Sequence, residues 1–140
     1  MKVSLQSKTA LVVEDDWFVR GDIAAQFRQE GWQVLEAETG AEALELLRRG
    51  QSIDILVTDI TLADSITGWE VAEALRRLHP QVPVIYASGG HDIDSRRVLH
   101  SVSLRKPFSG HDLLSAGSKL LHRALATVEE SLRGGTIRPV

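Results

Sequence analysis

Three short apolar runs, each halted by a polar group, limit what this chain can fold into. Ala10-Leu11-Val12-Val13 stops at Glu14-Asp15-Asp16. Ile53-Asp54-Ile55-Leu56-Val57-Thr58 stops at Asp59, and Val82-Pro83-Val84-Ile85-Tyr86-Ala87 stops at Ser88. A later segment delivers Lys106-Pro107. Continuous apolar runs of this length suit strands buried on both faces of a parallel sheet. If so, their C-terminal ends bring acids, a hydroxyl and an ammonium to one sheet edge, where open α/β sheets carry their chemistry.

Between the runs lie helical patterns. Val19, Ile23 and Phe27 recur at spacing four, and Gly31 closes that segment. Thr39-Gly40-Ala41-Glu42 and Thr67-Gly68-Trp69-Glu70 have the form of capping boxes, with Leu44 and Leu47, then Val71, Leu75 and Leu78, on the inward faces. Pro80 stops the third helix. A fourth is expected over Asp92–Leu99, without a strong apolar stripe. A last one opens at Ser109-Gly110-His111-Asp112 and carries Leu113, Leu114, Leu120, Leu121 and Leu125. Remaining strands are expected at Gln33–Ala37, the least apolar and so an edge, and at Val102–Arg105. This alternation predicts βαβ units with right-handed crossovers in one α/β domain.

Length and charge narrow the function. At 140 residues the chain suits one hydrophobic core, over residues 1–125, followed by a helix extension and frayed tail over 126–140. A net charge of −3 argues against general nucleic-acid binding. The absence of cysteine removes disulfides, thiolate metal sites and cysteine nucleophiles. No signal peptide or membrane-length apolar stretch is read, so the expectation is a cytoplasmic protein that does not engage a membrane.

The polar set reads as a magnesium site beside a carboxylate able to take a phosphoryl group. Nucleophile and donor are both anionic, and a divalent cation between them relieves the repulsion. Magnesium takes oxygen ligands and needs one or two protein carboxylates. Glu14 and Asp15 fit as ligands, Asp59 as ligand and phosphoacceptor, and the Thr61 main-chain carbonyl as a further oxygen. Ser88 and Lys106 would engage the phosphoryl oxygens. Singly, each has an ordinary reading. Asp15 or Asp16 caps a helix, Asp59 is a loop acid, Ser88-Gly89-Gly90 a turn and Lys106-Pro107 a surface loop. Four strand ends each bearing the needed group is what favours the site.

That order resembles the receiver domain of two-component response regulators. The likeness rests on Leu11-Val12-Val13-Glu14-Asp15-Asp16, Asp59, Ser88 and Lys106-Pro107-Phe108, over about residues 8 to 125. It implies a flavodoxin-like (βα)5 fold, a doubly wound five-stranded parallel sheet of order 2-1-3-4-5. It also implies Mg2+-dependent phosphotransfer to Asp59 from a sensor histidine kinase or a histidine phosphotransfer protein. Tyr86-Ala87-Ser88-Gly89-Gly90 resembles the Phe-Ala-Thr-Gly-Gly/Tyr motif of mostly stand-alone receivers. Leu62 and Ala63 replace the family's usual Met-Pro, and Asp64-Ser65-Ile66-Thr67 lengthens that loop. Ser103 stands where an aromatic switch residue is common, so the expected switch is Ser88 acting through Gly89 and Gly90 on the segment up to Leu99.

Beyond Lys106 the chain is mostly one helix, so the expected output is docking to an unknown downstream protein, without an attached output module. Leu114, Leu121, Leu125, Val128 and Leu132 form an approximate heptad stripe, and a monomer or a weak homodimer is expected. Trp17 and Trp69 are candidate partner anchors. Arg76-Arg77 and Arg96-Arg97 are expected on solvated helix faces. The five histidines are not in a metal-binding arrangement. Alternatives are a phosphoryl sink or shuttle in a phosphorelay, a phosphohydrolase and a non-phosphorylated flavodoxin-like scaffold. The hydrolase wants a second Asp at position 61, which is Thr. A flavin phosphate would be repelled by the acids at 14–16.

Overall fold

A computed structural model describes residues 8–90 and 96–134, with 124–134 as backbone only. Among the described residues, five strands and four helices run in the order β1 (Thr9–Val13), α1 (Trp17–Gln29), β2 (Gln33–Ala37), α2 (Gly40–Arg48), β3 (Ile55–Asp59), α3 (Gly68–Leu78), β4 (Val84–Ser88), β5 (Ser101–Arg105) and α4 (Gly110–Gly134). All neighbouring strands are parallel, and the sheet order is β2-β1-β3-β4-β5, as expected. The register sets Val13 beside Ala37 and Thr58, Asp59 beside Ala87, and Ser88 beside Arg105. The strand ends are therefore nearly level, and the polar groups at or just beyond them share one edge.

Successive strand side chains point to opposite faces, so each run feeds two cores. Leu11, Val13, Leu56, Tyr86 and Val84 pack with Leu47, Val71 and Leu75 on the α2/α3 side. Ala10, Val12, Ile55, Val57 and Ile85 pack with Ile23, Phe27, Leu113 and Leu120 on the α1/α4 side. Burial on both faces explains why β1, β3 and β4 read as unbroken apolar runs. β2 and β5 are the edges. β4 begins at Val84, inside its apolar run, because Pro83 has no N–H for the ladder.

Polar side chains fix the helix starts. Asp16 Oδ1 accepts from the amides of Phe18 and Val19. Thr67 and Glu70 form a full capping box, and Ser109 and Asp112 cap reciprocally. At α2, Thr39 Oγ1 accepts from Glu42 N, while the Glu42 carboxylate reaches past the cap to Glu38 N. The α4 backbone continues to Gly134. The side chains of Leu125, Val128 and Leu132, and the tail after Gly134, lie outside the described residues.

Two expectations are corrected and a third is narrowed. The helix expected over Asp92–Leu99 falls half on residues outside the described ones, 91–95; of the described part, Arg96 is in 3-10 conformation and residues 97–100 are irregular, so no helix reaches Leu99. The backbone there bonds to side chains instead: Val98 N donates to the Tyr86 hydroxyl, Val98 O accepts from Ser101 Oγ, and His100 O accepts from Arg76. Arg76 is thus not a solvated charge but a strut, also donating to Val82 O, and Arg96 pairs with Glu73. Trp69 is buried against Tyr86 with ring centroids 4.7 Å apart, so it is core and not a partner anchor. Among the described residues no helix is long and apolar enough to cross a membrane.

Candidate functional site

The first strand delivers Glu14 into the sheet edge, where it is only 2% exposed, and its amide donates to Ala37 O at 3.0 Å. Asp15 and Asp16 lie outside, on the turn into α1. Asp16 caps α1 through Oδ1. Asp15, Glu14 and Asp59 each offer a carboxylate oxygen, and these oxygens all lie within 4.8 Å of one another. Asp59 reaches this point from the end of β3. Lys106 reaches it from the loop after β5, with Nζ 2.8 Å from Glu14 Oε1 and 3.1 Å from Asp59 Oδ2. The Lys106-Pro107 peptide bond is cis.

Electrostatics leave this cluster unbalanced in charge. Burial pushes Glu14 up to about 6, with the hydrogen bond from Lys106 working the other way and Asp15 and Asp59 adding to the rise. For Lys106 burial works against the charge, but its bonds to Glu14 and Asp59 outweigh that and hold the ammonium above its ordinary range. Three clustered carboxylates served by one ammonium remain short of positive charge. Hard oxygen donors at this spacing fit Mg2+ in kind.

Ser88 ends β4 at 9% exposure, its Oγ accepts from Gly90 N at 3.0 Å, and its carbonyl accepts from Lys106 N at 2.8 Å. The hydroxyl and the lysine are therefore tied through backbone. Gly89 and Gly90 come directly after, and Gly90 has φ +101°. Thr61 is exposed on the loop after β3, between buried Ile60 and buried Leu62. Ser103 does not join the edge: it is half-buried within β5, opposite Tyr86. Trp17 is 72% exposed at the start of α1 and stacks edge-on with Phe18.

Two contributors are not evident from sequence. Arg20, one turn into α1, donates to the Glu14 carbonyl at 2.8 Å and pairs with Glu36, holding the acidic turn against β2. Gly68 packs so tightly that a Cβ there would meet Asp59 O at 2.0 Å, and its amide donates to Ile60 O. A glycine directly after a capping threonine was the available signal for the second. Nothing local marks the first.

A family model described as the response regulator receiver domain matches residues 10–116. Among curated proteins, the chain is 32% identical over 122 residues to the sensor kinase CckA of Brucella abortus, covering 84% of this chain and 13% of that kinase. It is 29% identical over 130 residues to the probable transcriptional regulatory protein TcrX of Mycobacterium tuberculosis, covering 90% of this chain and 55% of that protein. The chain thus spans about half or less of these relatives. Among solved structures, a response regulator receiver protein from Sinorhizobium medicae superposes with TM-score 0.81 at 35% identity, covering 86% of this chain and 99% of that one. The receiver domain of the hybrid histidine kinase CckA superposes with TM-score 0.70 at 29% identity, covering 81% and 98%.

Proposed function

The chain belongs to the response regulator receiver domain family, and on that premise we propose that Asp59 is its phosphoacceptor, charged by a histidine kinase or a histidine phosphotransfer protein. The observation that carries this is the meeting of Glu14, Asp15 and Asp59 with Lys106 at one sheet edge. An Asp59 carboxylate oxygen forms the new bond to phosphorus as the bond to the donor imidazole nitrogen breaks, and the imidazole leaves with the electron pair.

Glu14, Asp15, Asp59 and the Thr61 main-chain carbonyl would hold Mg2+, which supplies the charge that lets an anionic carboxylate meet an anionic phosphoryl group. Lys106 neutralises one phosphoryl oxygen as a point charge. Ser88 donates its hydroxyl to another, and because its Oγ also accepts from Gly90 N, drawing it inward moves the backbone at Gly89 and Gly90. The segment up to Leu99 then presents a changed surface to a downstream protein.

Output by docking is favoured by the likeness of Tyr86–Gly90 to the motif of mostly stand-alone receivers. Service as a phosphoryl shuttle uses the same site. The test is intact mass after acetyl phosphate and Mg2+. The native chain gains one phosphoryl group and Asp59→Asn gains none. No gain by the native chain would leave only a scaffold role.

A further inference from the structure

The loop from Asp59 to Gly68 is pinned at both ends and at its tip. At the neck, Gly68 N donates to Ile60 O and Gly68 packs on Asp59 O. At the tip, Asp64 crosses to another element: Oδ1 accepts from Gly40 N at 3.1 Å and Oδ2 from Ala41 N at 2.9 Å. These are the first two amides of α2, donors that a helix start leaves without intrahelical partners. The third, Glu42 N, is taken by Thr39 Oγ1. A carboxylate at this position is also favoured by the helix dipole. Beside it, Ile66 lies so close to α2 that a Cβ on Gly40 would meet Ile66 Cβ and Cγ2 at 2.6 Å. Leu62 is buried in the α2/α3 core. Thr61 therefore sits on a short span fixed at Ile60 and Leu62, with the next restraint supplied by Asp64 and Ile66 on α2.

We infer that Asp64 is a positioning residue: by latching the loop to the α2 N-terminus it sets the Thr61 main chain and so the metal affinity of the phosphoacceptor site. The inference rests on the proposed Mg2+-dependent function. A loop without the latch has more conformations to lose on binding. Outer partners that orient a ligand in this way commonly influence metal affinity about tenfold or more.

Three variants of the full chain separate latching from simple capping. Asp64→Ala removes the latch and two cap bonds. Gly40→Ala keeps Asp64 and improves helix propensity but drives Ile66 and the loop away. Thr39→Ala removes a cap bond from the same helix start without touching the loop. Titration with Mg2+ by calorimetry is expected to show about tenfold weaker binding for the first two variants and native binding for Thr39→Ala. Amide exchange of the metal-free proteins is expected to show lost protection around 60–66 in Asp64→Ala and Gly40→Ala alone. Native Mg2+ affinity in both loop variants, or equal weakening in Thr39→Ala, overturns the assignment while leaving the phosphoacceptor reading intact. A native chain that neither binds Mg2+ nor takes a phosphoryl group overturns both.

Discussion

Lys106 Nζ lies 2.8 Å from Glu14 Oε1, joining the loop after β5 to the end of β1 across most of the sequence. The same ammonium reaches Asp59 Oδ2 at 3.1 Å. Without a divalent cation it is the charge that makes a buried acid pair tolerable. Breaking one partner of a buried pair costs about 3–5 kcal/mol. Lys106 is 30% exposed, so solvent screening reduces this to about 1–3 kcal/mol. Lys106→Met is therefore expected to lower metal-free stability by that amount in urea titration, and saturating Mg2+ is expected to restore a larger share in the variant than in the native chain.

Glu14 should make both stability and metal binding depend on pH. Its folded value of about 6 stands above the ordinary 4.5, so the native state holds this proton more tightly than the unfolded chain does. The Glu14 contribution therefore becomes more favourable as pH falls from about 6 toward 4.5, up to about 2 kcal/mol, and changes little above 7. Metal binding runs the other way, because proton and cation compete for the same oxygens. Mg2+ affinity is expected to fall as pH drops through about 6. Glu14→Gln should lose the titration feature near 6 in both measurements.

How far the sequence could be read depended on how local each signal was. The five strands and the meeting of Glu14, Asp15, Asp59 and Lys106 were legible because strand ends in a parallel sheet converge whatever the loops do; the full sheet order came from the resemblance to receiver domains. Asp16, Thr67 and Ser109 were legible as caps because their partners lie within a few residues. Asp64 was not, since its partners Gly40 and Ala41 come from another helix start. Arg76 looked like a solvated charge because nothing nearby in sequence reveals that Val82 O and His100 O await it. Trp69 looked like a surface anchor because a capping box marks a helix start, not the depth at which it sits.

Gly68 is expected to be intolerant of a side chain for a reason tied to the site. An added Cβ would lie 2.0 Å from Asp59 O and 2.9 Å from Ile60 Cα, both backbone atoms. Neither can swing aside as a side-chain tip would, so the loop neck must open. Overpacking of this kind costs about 1–3 kcal/mol. Gly68→Ala is expected to lose that much in thermal unfolding and to take up phosphoryl from acetyl phosphate more slowly than a variant of equal stability loss in the α1/α4 core, such as Leu120→Val.

The Tyr86 hydroxyl offers a way to test how the segment before β5 is held. The ring is fully buried and packs at a tilt against Trp69, and the hydroxyl accepts from Val98 N at 3.1 Å. Burial raises the phenol above its ordinary range, so it stays protonated at neutral pH and can serve as acceptor there. Tyr86→Phe keeps the ring and deletes only that acceptor, leaving the Val98 amide without this partner. A cost of about 1 kcal/mol is expected, because the core contacts survive. The local effect should be larger than the global one: amide exchange at Val98 should quicken while that of β4 stays slow. Since Tyr86 stands two residues before Ser88, the variant also tests coupling along β4. With the restraint on Val98 gone, beryllofluoride should change exchange around residues 96–100 less in Tyr86→Phe than in the native chain. An unchanged response would place the restraint in the Arg76 bond to His100 O, and Arg76→Met would then be the variant that blunts it.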